Sequence, residues 1–110
     1  MKSIPRRQTA TLQAYTAERN AIGEQTETWT DALLLYGVLD MVSGGTNYAN
    51  FNAKIMESTH VFLCDYVRLP NVATECRLVI DRAVYDVTMI DDPCGLHDHL
   101  EIYLTYKGVA

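Results

Sequence analysis

What this sequence has little of narrows it first. No apolar run approaches the roughly 20 residues of a membrane-spanning helix. The longest, "ALLLYGVL" at residues 32–39, is strand length. The N-terminal "MKSIPRRQTATL" is basic but lacks the apolar stretch of a secretory signal, so we expect a cytoplasmic chain. Cys64, Cys76 and Cys94 are an odd number and lie far apart, which is no disulfide framework. We expect reduced thiols that pack as small apolar groups. Base is scarce beyond the start of the chain. Residues 1–20 sum to +3, and the remainder to −8. Sequence-independent nucleic-acid binding works by neutralising phosphates. The acidic body therefore repels DNA or holds it weakly. Also missing are a nucleophile elbow, a P-loop, a dinucleotide-binding glycine run and a paired-carboxylate site. Catalysis needs groups in mutual geometry, and no local spacing here supplies it. We expect no enzyme activity, no catalytic residues and no cofactor.

What is present is a globular composition. The chain has 110 residues, 48% of them apolar. That suffices for one domain with one modest core. The dominant pattern alternates with period two, the signature of strands. In "HLEIYLTY", Leu100, Ile102, Leu104 and Tyr106 share one face, while Glu101, Tyr103 and Thr105 share the other. Residues 84–90 alternate Tyr85, Val87 and Met89 against Asp86 and Thr88. Residues 76–82 read as the hairpin partner, with a turn near Asp81, Arg82 and Ala83 whose type is open because it has no glycine. Residues 59–67 and 32–42 are strands apolar on both faces. Gly37 within the second suggests a bulge or a sharp bend. Residues 6–16 and 25–31 complete the set. Six or seven short strands without a convincing long helix imply an all-β fold, a sandwich or a small closed or partly open antiparallel barrel.

Residues 43–57, "SGGTNYANFNAKIME", are too long for a hairpin turn and too polar for a core strand. Tyr48, Phe51 and Ile55 fall near i, i+3 and i+7, so a short helix fits within this long internal connection. Long connections in compact domains are functional or disordered. The segment "DDPCGLHDH" gathers Cys94, His97 and His99 with Asp92 and Asp98 nearby. Zinc needs three or four converging ligands, and a closed structural site usually shows paired clusters. There is no second cluster, so the segment reads as a polar loop and we assign no metal. Trp29, in "TETWTD", reads as a core-edge residue or an interface anchor.

The order of these features resembles the head–tail joining family of long-tailed bacteriophages, its head-completion or stopper proteins. The pieces that carry the resemblance are the stretch from Gly23 to Trp29, Ser43-Gly44, Thr59-His60-Val61, and Tyr85-Asp86-Val87 with Asp91-Asp92-Pro93. The resemblance covers residues 4–106. It implies a β-barrel in a homo-oligomeric ring of identical copies, twelve by that resemblance, below the portal or adaptor protein. The ring closes the exit channel of the packaged double-stranded DNA, without sequence specificity, and gives the tail or a tail-completion protein its docking surface. It places the protein in the virion at the head–tail interface, and in the host cytoplasm during assembly, without a membrane partner. It implies a channel-facing gate in the connection at residues 43–57: Ser43, Gly44, Gly45, Thr46, Asn47, Tyr48, Asn50, Phe51, Asn52, Lys54 and Ile55. Arg6, Arg7 and Trp29 are candidate contacts with the connector. We expect the free protein to be largely monomeric, with the connection ordering on assembly.

Three alternatives stay open: a tail-completion protein of similar build, a small barrel that binds single-stranded nucleic acid, and, weakest, a metal-dependent enzyme using Cys94, His97 and His99. The second needs a basic groove with stacking aromatics. Tyr48, Phe51 and Lys54 are the one cluster of that kind, and it carries a single charge. In a salt titration, the isolated protein should show no micromolar, salt-sensitive affinity for single-stranded DNA. Finding such affinity would select the nucleic-acid barrel instead.

Overall fold

The computed structural model describes residues 6–42, 58–70 and 73–109. Six strands are formed: β1 (Arg7–Arg19), β2 (Gln25–Met41), β3 (His60–Asp65), β4 (Cys76–Ile80), β5 (Ala83–Asp91) and β6 (His99–Val109). Neighbours pair antiparallel in the order β1-β2-β3-β6-β5-β4. Pairing of Thr11–Ala14 in β1 with Val79–Cys76 in β4 closes the barrel. The fold is all-β, as the alternation indicates, and pairing of β1 with β4 makes it a barrel and not a sandwich.

The interior follows the period-two pattern. Leu100, Ile102 and Leu104 point inward on β6, as do Phe62 and Cys64 on β3, and Ala10 and Leu12 on β1. Leu12, Phe62, Leu78, Ile102 and Leu104 are the largest fully buried side chains. Side chains fill a barrel of this size, so it is a packed plug and not a pore.

Three expectations are corrected. Met89, read as sharing a face with Tyr85 and Val87, is moved off it by the extra residue Thr88: Met89 lies opposite Tyr103, and Ile90 opposite the inward Ile102. Residues 25–31 and 32–42, read as separate strands, form the single strand β2. Leu12 lies opposite Leu33 and Gln13 opposite Asp31, so Ala32 is an extra residue, a β-bulge. One extra residue exchanges the faces of a strand. After Ala32, Leu35 and Gly37 turn inward and are buried. Before it, Thr30 lies opposite the inward Ala14, and Trp29 turns outward opposite Tyr15. The polar "TETWT" and the apolar "ALLLY" therefore belong to one strand whose pattern changes phase. Gly37 is not a bulge. It pairs in register with Cys64. A Cβ there would overlap the Leu63 backbone carbonyl and lie 2.9 Å from the Cys64 Cβ. The glycine is required by close approach of β2 to β3.

The Asp81-Arg82 turn is also resolved. Both residues have positive φ, at 47° and 72°, in the two-residue loop between the paired Ile80 and Ala83. This is the backbone of the hairpin turns that suit right-handed strand twist. The helix-compatible stretch, with all of residues 43–57, lies outside the described residues.

At the far end of the hairpin, β1 runs past its last β4 partner, Ala14, to Arg19. β2 begins at Gln25 but meets β3 only from Gly37 onward. Together they form a two-stranded arm that extends about 15 Å beyond the β4 pairing at the rise of a strand. Asn20 shapes its tip. Its side-chain oxygen accepts the Ile22 and Glu24 backbone N–H groups at 3.1 and 2.9 Å. Its N–H donates to the Glu24 carbonyl at 2.8 Å. Gly23, with φ 85°, supplies the left-handed residue that the turn needs.

Gly37→Ala should cost about 1–3 kcal/mol, because the atoms it meets are largely backbone and cannot turn aside. Chemical denaturation of the folded variant measures this. Wild-type stability would show that β2 and β3 can move apart freely.

Candidate functional site

The two barrel ends differ, and each presents a distinct surface. The first holds the boundaries of residues 43–57. Met41 pairs with His60, and the Val42 N–H donates to the Thr59 carbonyl at 3.1 Å. The strands that flank the insertion are thus joined up to its boundary. Thr59 ties this point to β6. Its N–H donates to the Leu104 carbonyl at 2.8 Å, and its Oγ1 accepts the Tyr106 N–H at 2.9 Å. The His60 Nδ1 lies 2.8 Å from the same Oγ1. The His60 ring meets Tyr85 edge-on at 5.2 Å, and Tyr85 meets Tyr106 at 5.5 Å.

Ser58, the first described residue after the insertion, is buried. Its hydroxyl lies 2.6 Å from that of Thr88, which in turn donates to the Tyr103 carbonyl at 3.0 Å. Thr88 is the extra residue of a bulge in β5, since Val87 faces Leu104 and Met89 faces Tyr103. Bulges re-aim side chains, and here the bulge delivers a hydroxyl to the end of the insertion. Sequence reading singled out Thr59 and His60 but missed Ser58 and Thr88. Their signal, two hydroxyl residues 30 apart in sequence, is visible only once β5 lies beside the insertion's end.

The candidate gate residues, Ser43, Gly44, Gly45, Thr46, Asn47, Tyr48, Asn50, Phe51, Asn52, Lys54 and Ile55, lie outside the described residues. The other candidates are separated by the fold. Arg6 and Arg7 are exposed near the insertion end, where Arg7 pairs with Val38 and its guanidinium lies 5.9 Å from the Tyr36 ring centroid. Trp29 belongs to the arm. It sits half-buried on the outer face, edge-on to Tyr15 at 5.3 Å, with the Arg77 guanidinium 4.4 Å from its ring centroid. Arg77 also donates to Gln13 at 2.7 Å, which holds it over the ring. Arg7 and Tyr15 are eight residues apart on one strand, about 27 Å. The three side chains therefore cannot form one contact.

"DDPCGLHDH" occupies the end that carries the arm. The His97 Nδ1 lies 2.5 Å from Asp92, and the His97 ring stacks at 4.4 Å on Tyr66. His99 instead faces Glu101 at 3.2 Å. The two histidines serve different carboxylates. Among the described residues, no three His, Cys, Asp or Glu side chains are grouped to hold a metal ion. Cys94 is exposed, whereas Cys64 and Cys76 are buried. Burial, and then the charge of Asp65, push the Cys64 thiol up to about 11, which leaves it protonated and unreactive at neutral pH.

A filled antiparallel barrel, with a clamped insertion boundary at one end and a long arm at the other, defines a structural module that works through its surfaces. The family model for phage head completion proteins matches residues 1–105, and the chain belongs to that family. The solution structure of protein SF1141 from Shigella flexneri 2a is similar, with a TM-score of 0.70 and 24% identity over 90% of each chain. That likeness concerns the fold. No curated protein matches the chain. The family is a structural one, which assigns the protein to head completion among phage head and tail components in the virion.

Glu101 organises the arm-side end of β6. It accepts from the Tyr103 hydroxyl at 2.9 Å and faces His99 with its other oxygen. The hydrogen bond to Glu101 raises the His99 pKa, and partial burial opposes the rise. A raised folded value stabilises the protein fully below the unfolded value near 6.5, and this contribution is lost as pH rises through the folded value. NMR titration should place His99 above the ordinary histidine value, and Glu101→Gln should lower it. An unchanged midpoint in that variant would remove Glu101 as the cause.

Proposed function

We propose that this head completion protein is a stopper. Copies of the chain form a ring, twelve by family resemblance, beneath the portal or adaptor protein. Residues 43–57 close the DNA exit channel and retain the packaged genome. The opposite face receives the tail or its completion protein.

The observation that carries this reading is the clamped boundary of residues 43–57. A gate must bear on the channel without unravelling the domain that holds it. Here the chain enters the segment from a paired strand and leaves it through Ser58 and Thr59, which are bonded to β5 and β6. Load on the segment is therefore passed to the closed sheet. The filled interior supports the same reading, because DNA has no path through one barrel and any channel must run between copies. The acidic body, −8 after residue 20, suits a wall that DNA passes without adhering.

Deleting residues 45–53 should leave the barrel folded, with cooperative unfolding near that of the wild type, since connections tolerate change better than core strands. Filled heads completed with this variant should leak DNA or fail to join tails. Heads that retain their genome and give normal infectivity would sink the gating role.

A further inference from the structure

The arm carries two open strand edges, and their phase can be worked out. In an antiparallel ladder, opposed pairs alternate between exchanging backbone hydrogen bonds and turning those groups away. The Asn20 N–H donates to Glu24. With the observed register, Glu18/Thr26 and Thr16/Thr28 are then bonded pairs, and the backbone groups of Arg19/Gln25, Ala17/Glu27 and Tyr15/Trp29 point outward. On the β1 side the outward set is Tyr15, Ala17 and Arg19, beyond the last β4 partner. On the β2 side it is Gln25, Glu27, Trp29 and Asp31, then Leu34 and Tyr36 past the bulge, before β3 begins to pair. No described strand pairs with either stretch.

Natural proteins blunt such edges with lysine, proline or a covering element. Residues 25–36 hold no lysine and no proline. They hold three threonines, three leucines and Trp29 instead, and Leu34 and Tyr36 are 69% and 59% exposed. This is a template for another strand.

We infer that the open β2 edge of one copy pairs with the open β1 edge of the next, joining the arms into a continuous antiparallel belt. The inference rests on the ring reading above. Charge selects this pairing over its rivals. The outward residues share the outer face, where β2 presents Glu27 and Asp31 and β1 presents Arg19. Joining β2 to β2 would bring the acids together. Joining β1 to β2 at the same level along the arm sets Arg19 opposite Gln25 and beside Glu27, while Asp31 accepts from Gln13 at 2.9 Å within its own copy. Strand direction agrees, because β1 and β2 already run antiparallel. Repeating the hairpin by rotation about an axis along the arm makes every new junction antiparallel too. Such a head-to-tail contact leaves no edge once the ring closes.

The test uses filled heads that lack this protein, loaded with the full-length chain and scored for copies bound per head against concentration. Glu27→Pro and Ala17→Pro each remove an outward N–H and leave the β1–β2 bonds intact. Each should stay folded and need about tenfold more protein to load, or load fewer copies. Arg19→Glu and Glu27→Lys should each weaken loading, and the double variant should restore it. If a proline variant loses cooperative unfolding, the charge pair decides. Wild-type loading by both proline variants, or no rescue by the double variant, would overturn the belt. If the wild-type chain itself does not load onto heads, the ring reading fails instead.

Discussion

Four residues of β1 hold the fold together as a closed object. Thr11 to Ala14 pair with Val79 to Cys76, and this short contact turns a six-stranded sheet into a barrel. Closure gives Leu12 and Leu78 a common interior with Phe62, Ile102 and Leu104, so the five are shielded from water together. An open sheet would leave one face of these residues exposed, at roughly 1.5–3 kcal/mol for each large apolar side chain. The contact is short because β1 is shared. One edge runs the length of β2, while the other is used by β4 for four residues and left open beyond them. The barrel and the arm are two consequences of one long strand.

That arrangement separates two mechanical tasks. At the insertion end, β2 and β3 stay paired up to the boundary of residues 43–57, and hydroxyl groups from Ser58, Thr59 and Thr88 fasten the chain where it re-enters the sheet. This end is built to hold. At the arm end, pairing stops early, and backbone groups remain available over most of the hairpin. Acidic residues outnumber basic ones there, with Glu18, Glu24, Glu27, Asp31, Glu75, Asp91, Asp92 and Asp98 set against Arg19, Arg68 and Arg77. A barrel with unlike ends suits the stopper proposed above, which would meet different neighbours on its two sides. The filled interior adds a further constraint: in the proposed ring, any channel must run between copies.

Strand identity was legible wherever alternation ran unbroken. Leu100, Ile102 and Leu104, like Tyr85 and Val87, could be placed facing inward from their spacing alone, and they are buried. Alternation failed as a guide at residue 32, where one extra residue reversed the faces of β2 and made one strand look like two, and at Thr88, whose bulge puts Ile90 and not Met89 on the core face. A bulge is defined by its partner strand, and a single segment does not display its partner. Gly37 shows the same limit. A glycine in a strand fits a bulge, a bend or a close approach equally well, and only the position of the Leu63 carbonyl shows the close approach. Arg6, Arg7 and Trp29 were recognisable as unusual residues, but their separation to opposite ends depends on strand length and register.

By itself, the sequence determined the all-β class of fold, the inward faces of most strands, the acidic excess after residue 20, and a stretch at residues 43–57 too long for a hairpin turn and too polar for a core strand. These are local properties, fixed by side-chain period, composition and charge along the chain. Tertiary structure alone decided which strand closes on which, where the sheet stops pairing, and which hydroxyl groups fasten the insertion. Each of those depends on residues far apart in sequence, such as Ser58 with Thr88 and Thr59 with Tyr106. Hydrogen bonds and steric contacts act over a few ångströms in space, and no pattern along the chain encodes that distance before the barrel closes.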